Sequence, residues 1–318
     1  MASPPSRGRQ ALFLAVVLVV ALVLAEGVAR LLAPRRPRPP DSPYVYSADR
    51  EVLYEHRPLA ELPHGRRSNR DGLIADREYA VPKPPGVYRI ASLGDSVAYL
   101  SSGKTYAQLL QERLDALPAR GVRFEVLDFS VVGYNSRQEL AVLRAKALRF
   151  QPDFVLLGYC VNDDEPAFGL TLFLTPGEHP ASLGTRLHSR LLVFLINRYD
   201  RYLDWRSLTH HDYTYVERLF AALRELRDDR GTGVLVLFFP ALGGEPRAQT
   251  FAMRAPIGLA RREELPLLTP EDLLDHQPLE QYQRPPADGL HMNEAGHRLV
   301  AEKAFEAIRD RLPGMPAP

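Results

Sequence analysis

From Gly86 onward the chain repeats one pattern: a short apolar-rich run, a turn, and a longer stretch with helical spacing. The runs are Val87–Leu93, Phe124–Phe129, Phe154–Leu157 and Gly233–Phe239, with Leu265–Leu268 as a shorter fifth. Phe154–Leu157 is apolar at every position rather than every second one, so both of its faces must be covered. Short strands alternating with helices predict an α/β fold, a three-layer α/β/α sandwich around a mostly five-stranded parallel sheet. Helices are expected at 105–117, at 214–229 and from Asn293 to Leu312. Another should open at the capping-box signature Ser136-Arg137-Gln138-Glu139 and run to Phe150.

Ahead of this body lies a different device. Ala11 to Ala25 run without one polar side chain. Fifteen residues at about 1.5 Å each fall short of a hydrocarbon core of about 30 Å. The helical pattern continues to Ala33, however, before Pro34 stops it. Glu26 and Arg30 stand four apart on one helical face and can pair at the membrane boundary. One reading is a cleaved signal peptide, with Arg7 and Arg9 as its basic start and Val23-Leu24-Ala25 as its cleavage site. The other, preferred here, is a transmembrane signal anchor that keeps 11–33 in the bilayer. It leaves 1–10 as a short basic tail and 34–41, rich in Pro and Arg, as a stiff basic spacer. Arg30, Arg35, Arg36 and Arg38 outnumber Arg7 and Arg9, a balance that by itself would keep the C-terminal side in the cytoplasm. A short basic tail before a first apolar segment is the export arrangement, so the body is expected outside the cytoplasm.

Residues 42–85 are rich in aromatic and turn residues without a helical period, and are expected as short strands or an extended arm. The interval 164–212 breaks the rhythm with Phe168, Leu170, Leu172, Phe173 and the stretch LLVFLINRYDRYLDW, an inserted helical cap. It either buries its apolar face on the main domain, the commoner use of an apolar stripe, or forms a lid that shapes a cleft or meets the membrane. Residues 313–318 are a tail.

Composition narrows the function. A formal net charge of +1 removes any global case for a nucleic-acid binder. With Cys160 as the only cysteine, no intrachain disulfide and no multi-cysteine zinc site can form. His210-His211 has no partner ligands in helical register, and neither a P-loop nor a Rossmann glycine fingerprint occurs. No metal and no cofactor are expected, and His297 is expected to be structural.

Four short segments stand at the ends of predicted strands, where open α/β sheets place their sites. Leu93-Gly94-Asp95-Ser96 exposes a serine at a strand-to-helix turn. Val132-Gly133-Tyr134 puts a glycine where backbone can approach a ligand closely. Asn162-Asp163 supplies an amide, a neutral donor suited to a developing oxyanion. Asp288-Gly289-Leu290-His291 pairs a carboxylate with an imidazole three residues on, close enough to hydrogen-bond on a tight turn. A serine hydroxyl becomes a nucleophile only when a base takes its proton, and a histidine steadied by a carboxylate suits that task. Each segment alone is also an ordinary turn or cap; all four in this order are not.

Together these residues resemble the SGNH hydrolases, also called the GDSL lipase/esterase family. That family is marked by Ser in G-D-S, Gly after the next strand, Asn in an N-D pair and a closing D-x-x-H. The resemblance covers about 86–312 and implies an SGNH/flavodoxin-like sheet and a serine mechanism. It makes Ser96 the nucleophile, His291 the general base and then acid, and Asp288 the orienting carboxylate. The Ser96 N–H, the Gly133 N–H and the Asn162 side chain would form the oxyanion hole. One departure stands out: Cys160 occupies the position, two before the Asn, where the family commonly has Gly. Ser68-Asn69-Arg70-Asp71-Gly72-Leu73 and the Lys83-Pro84-Pro85-Gly86 lead-in are similar to membrane-anchored bacterial members. Asp95 is expected to brace the turn rather than to serve as the triad acid.

The expected substrate is an ester: a small molecule, an O-acyl group on an envelope glycan, or a lipid. The alternatives are an O-acyltransferase using the same site, and a catalytically silent, membrane-tethered binding module. A metal-dependent hydrolase would be a further rival, and the sequence leaves the oligomeric state open.

Overall fold

The computed structural model describes residues 6–32, 42–118, 121–164, 174–210, 213–240, 242, 253–274, 279–285 and 288–314, with backbone alone at 204–210. The expected spacer 34–41, Phe168, Leu170, Leu172 and Phe173 of the insertion, and His211 lie outside the described residues.

The chain opens with helix α1 (Arg7–Leu32), which by length and composition is long and apolar enough to cross a membrane. It begins four residues before the apolar run, and of its residues only Ala29 is buried. The arm folds as two small antiparallel hairpins, β1 (Tyr44–Tyr46) with β2 (Tyr54–His56), and β3 (Glu61–Leu62) with β4 (Arg66–Arg67). It is not a loose extension. Tyr44, Tyr54, Leu73 and Tyr79 enter the core on one face of the main sheet. Asn69 organises the turn that follows, its Oδ1 accepting from the amides of Asp71 and Leu73, both at 3.0 Å. Ile74 N–H then donates to the Asp128 carbonyl at 3.1 Å, fastening the arm to the sheet.

The body begins with β5 (Val87–Gly94), followed by a short helix α2 (Ser96–Tyr99) and by α3 (Tyr106–Asp115). Next come β6 (Arg123–Asp128), α4 (Ser136–Ala145) and β7 (Phe154–Tyr159). The insertion contributes α5 (Leu183–Arg186) and α6 (Arg190–His210), after which α7 (Thr214–Arg230) leads into β8 (Gly233–Phe238). Helix α8 (Arg254–Arg262), strand β9 (Leu267–Leu268) and helix α9 (Pro270–Leu274) complete the sheet. A two-stranded ribbon of β10 (Gln283–Arg284) and β11 (Asp288–Met292) precedes the closing helix α10 (Glu294–Ile308).

The five main strands lie in the order β6-β5-β7-β8-β9, every neighbouring pair parallel. Successive residues feed opposite layers. Ala91, Val155, Leu157, Val234 and Val236 pack with α4, α7 and α8 on one face. Ile90, Phe154, Leu156, Leu235 and Leu237 pack with α3 and α10 on the other. Covering both faces explains why β7 is apolar throughout: each large side chain buried contributes about 1.5–3 kcal/mol. The expected α/β/α sandwich is present. Because the chain leaves β5 towards β6 and later returns to its other side with β7, the order reverses between β5 and β7. That crevice, at the carboxyl ends of the strands, is where such sheets bind ligands.

Three local expectations shift. Helix α4 is capped by Asn135, whose Oδ1 accepts from Gln138 N–H at 3.2 Å, rather than by Ser136. Gln138 instead sends its side-chain amide to the Val52 carbonyl in the arm at 2.9 Å, and α4 gives way to a 3-10 turn at Ala147–Phe150. The fifth strand shrinks to two residues, as suits an exposed sheet edge. Among the described residues of the insertion, Leu174 joins the main core, α6 packs against the 3-10 turn Pro176–Glu178, α5 and α1, and Phe194, Leu195 and Tyr199 are exposed.

Candidate active site

Strand β5 delivers the serine. A Cβ on Gly94 would lie 2.6 Å from that of Ala98, so only glycine lets α2 fold back against the strand end. Asp95 caps α2, its Oδ1 accepting from Val97 N–H at 2.8 Å, which is the bracing role expected of it. Ser96 is the first residue of that helix and is largely buried.

Strand β11 delivers the histidine and the carboxylate. Asp288 Oδ1 accepts from the amides of Leu290 and His291, both at 3.0 Å, and its Oδ2 lies 2.8 Å from His291 Nδ1. His291 Nε2 lies 2.9 Å from Ser96 Oγ, closer than the other acceptor of that hydroxyl, Asp95 Oδ2 at 3.3 Å. Burial pushes the Asp288 carboxyl up, but hydrogen bonds from those two amides and from the imidazole outweigh it and hold the group below its ordinary value. Pairing with β10 steadies the segment where a plain turn was expected, and brings Arg284 Nε within 3.7 Å of Asp288 Oδ2.

Gly133 and Asn162 reach the same sheet edge from β6 and β7. Tyr134 N–H donates to the Val131 carbonyl at 3.2 Å, and Gly133, at φ +76°, fills the turn position that needs a positive φ. This loop lies against the end of β5, with Val131 N–H donating to the Gly94 carbonyl at 3.2 Å. Asn162 Nδ2 donates to Asp95 Oδ2 at 2.9 Å, and the Cys160 thiol donates to Asn162 Oδ1. The cysteine that departs from the family pattern thus holds the amide from its other end. Ser96, His291 and Asp288 form one hydrogen-bonded line, Asn162 joins it through Asp95, and Gly133 stands in the adjoining turn.

Behind the serine lies a buried acidic cluster. Asp95, Cys160 and Asp163 offer three ligand atoms within 4.8 Å of one another. Cys160 N–H donates to Asp163 Oδ2 at 2.8 Å, and both oxygens of buried Glu139 lack a hydrogen-bond partner among the described residues. Burial first, then neighbouring negative charge, pushes Glu139, Asp163 and the Cys160 thiol well above their ordinary values.

Sequence reasoning missed the residues that clamp these loops. Tyr54 hydroxyl donates to the Val132 carbonyl at 2.9 Å, and Tyr134 hydroxyl donates to the Tyr54 carbonyl at 2.6 Å. Buried Arg66 donates to the Ser101 carbonyl at 3.2 Å, with its guanidinium 5.5 Å from the centre of the Tyr99 ring. The density of tyrosines in the arm was the available signal. His297 is buried, and its Nδ1 accepts from Tyr106 N–H at 3.1 Å, tying α10 to α3.

An α/β/α sandwich carrying serine, histidine and carboxylate in line at its switch point has the make-up of a hydrolase. The chain belongs to the GDSL-like lipase/acylhydrolase family, whose sequence model matches residues 92–299, and it is accordingly an ester hydrolase. Among solved structures, the lipase/acylhydrolase from Enterococcus faecalis is 15% identical with a TM-score of 0.47, covering 72% of this chain and 100% of its own. A two-domain esterase active on acetylated mannans is 21% identical with a TM-score of 0.46, over 73% of this chain and 52% of its own. An acetyl xylan esterase variant from Geobacillus stearothermophilus is 13% identical with a TM-score of 0.46, over 73% and 96%. No curated protein matches the chain.

Proposed function

We propose that the chain is a serine esterase working through an acyl-Ser96 intermediate. The observation that supports this is the unbroken line from Ser96 Oγ through His291 to Asp288, with hydrogen bonds of 2.9 and 2.8 Å. Asp288 accepts from Nδ1–H, which leaves Nε2 unprotonated and facing the serine. Ser96 Oγ attacks the ester carbonyl carbon while Nε2 takes its proton. The tetrahedral intermediate collapses as His291 protonates the departing alcohol oxygen, and water then repeats the sequence on the acyl-enzyme. The oxyanion falls to the Ser96 and Gly133 N–H groups and to an N–H of the Asn162 amide. Neutral donors so placed are each worth about 2.7–4 kcal/mol. A sugar hydroxyl in place of water would make the same intermediate an acyl transfer. A silent binding module would not require the three residues to be aligned.

The plan that goes with this reading keeps 11–33 in the bilayer as a signal anchor, with the arm 42–85 and the hydrolase domain 86–312 outside the cytoplasm. The ester within reach is then an O-acyl group of an envelope glycan, or a lipid.

Fluorophosphonate labelling of the full-length protein, with Ser96→Ala in parallel, tests the mechanism. Labelling should vanish in the variant, and turnover of p-nitrophenyl acetate should fall by about 10⁶-fold. Asn162→Ala should lower kcat by about 10²–10³-fold, with a much smaller change in KM. A preference between acetate and octanoate esters separates acetyl from lipid chemistry. A folded wild-type protein that takes no label would refute the mechanism in favour of the silent module.

A further inference from the structure

We propose that α5 and α6 lie in the membrane–water interface beside α1, and that Glu26 fixes their depth. The inference rests on reading α1 as a membrane span.

A span of about 20 residues starting at Ala11 ends near Arg30, so Glu26 sits at the edge of the hydrocarbon. A carboxylate there is costly unless it is satisfied. Glu26 accepts from Arg30 Nε at 2.8 Å, from Ser189 Oγ at 2.7 Å, and from the amides of Arg190 and Leu191 at 2.9 and 3.0 Å. Arg30 also donates to the His188 carbonyl at 2.8 Å. The first turn of α6 is thus bound to the residue that marks the bilayer boundary, and α6 starts at that depth. Its N-terminal amides and dipole favour the carboxylate in return.

What the unit then exposes matches its position. Outside α1, the described residues show exposed large apolar side chains at scattered points, Leu59, Val81, Val161 and Tyr215. Between 183 and 203 they show Leu183, Leu187, Phe194, Leu195, Tyr199, Tyr202 and Leu203 together. Exposed Arg186, Arg198 and Arg201 are interspersed with them. Leucine, phenylalanine and tyrosine mixed with arginine is the composition of a helix in the headgroup region of an anionic bilayer. Continuity with α1 selects the bilayer over a second copy or a partner protein as the occupant of this face. The insertion is also tied to the arm, with Thr175 N–H donating to Tyr46 Oη at 3.1 Å and His179 Nε2 2.8 Å from the Ser47 carbonyl. The arm holds the catalytic loops, so the active site stands at a set height above the membrane.

The test is spin-label depth measurement on full-length protein in phosphatidylcholine–phosphatidylglycerol nanodiscs. Labels are placed by Leu195→Cys and Tyr199→Cys, with Leu18→Cys as a hydrocarbon reference and Glu306→Cys as an aqueous one. Cys160 is buried, and the wild-type chain gives the background. The ratio of oxygen to nickel-chelate accessibility at 195 and 199 should fall between the two references and several-fold above that at 306. A ratio equal to that at 306 would overturn the proposal, as would low accessibility to both reagents, which signals a second copy or a protein partner. An aqueous ratio at 18 would remove the anchor reading and this inference with it. Glu26→Ala and Glu26→Gln should shift the ratio at 195 towards the aqueous value while hydrolysis of p-nitrophenyl acetate stays within about twofold of wild type. An unmoved ratio would overturn the role of Glu26. Loss of the esterase reading would leave these depths unaffected, so the two claims fail separately.

Discussion

Cys160 shows how a departure from a family pattern can add a contact that the commoner residue could not make. Glycine at this position would leave the Asn162 carboxamide held only through its nitrogen, by Asp95. The thiol adds a grip on Oδ1, and its raised pKa, caused by burial and then by the charges of Asp95 and Asp163, keeps it a donor. Cys160→Ala should therefore leave the amide free to turn. Steady-state kinetics on p-nitrophenyl acetate should show kcat reduced by roughly tenfold with KM within about twofold, a fraction of the loss from deleting the amide itself. An unchanged kcat would show that Asp95 alone orients Asn162. The candidate site was legible at this scale because Ser96, Gly133 and Asn162 lie in the turns after β5, β6 and β7, and because Asp288 and His291 are three residues apart. The geometry linking them was not legible, since Ser96 and His291 meet across 195 positions.

Among the elements, β5 and β6 carry a feature that hydrophobic periodicity hides. Arg89 and Glu125 are register partners in the parallel pair, both buried, with Arg89 Nε donating to Glu125 Oε2 at 2.8 Å. Arg89 Nη1 donates to the Phe150 carbonyl at 2.9 Å, and Asp153 receives the Arg89 amide at 2.7 Å. The pair anchors the end of the sheet opposite the edge that carries Ser96. Glu125→Ala would strand a buried guanidinium, and chemical denaturation should report a loss of about 3–5 kcal/mol. A loss below about 1 kcal/mol would mean that water or the Phe150 carbonyl compensates. A polar residue inside a strand pattern looks like a face exposed to solvent until its partner on the neighbouring strand is known. In the same way, the apolar stripe of the insertion did not reveal that α6 would meet α1 as well as α5.

Across the whole molecule, buried ionisable groups make stability depend on pH in two opposing ways. Burial lowers His297, and likewise His56, to about 3. Above pH 6.5 these imidazoles contribute nothing to the dependence. As the pH falls from 6.5 towards 3, the unfolded chain binds protons that the native state refuses, and stability is lost. Asp128, pushed up by burial to about 6, acts with Glu139 and Asp163 in the opposite sense, because the native state takes up their protons first. The wild-type curve mixes both, so a difference is the informative quantity. His297→Gln keeps an acceptor for Tyr106 N–H but cannot be protonated. The stability advantage of wild type over this variant should shrink by on the order of 1 kcal/mol per pH unit between 6.5 and 4, as read from thermal melts. A difference independent of pH would place the native His297 near its unfolded titration.

Order along the chain was enough to define the three-layer sandwich, the four candidate site segments and the apolar N-terminal helix. Each of these is written in local spacing: period-2 or continuous burial in a strand, period 3.6 in a helix, a turn residue at a strand end. The arm that clamps the catalytic loops, the Arg89–Glu125 pair, the amide grip of Cys160 and the seat of α6 on Glu26 came into view only with the folded chain. Apart from Cys160, these join residues some 35 to 165 positions apart. Periodicity records which face of an element is buried, not which distant side chain meets it. That choice is made by packing and by the need to satisfy each buried donor and acceptor, and both exist only once the elements are assembled.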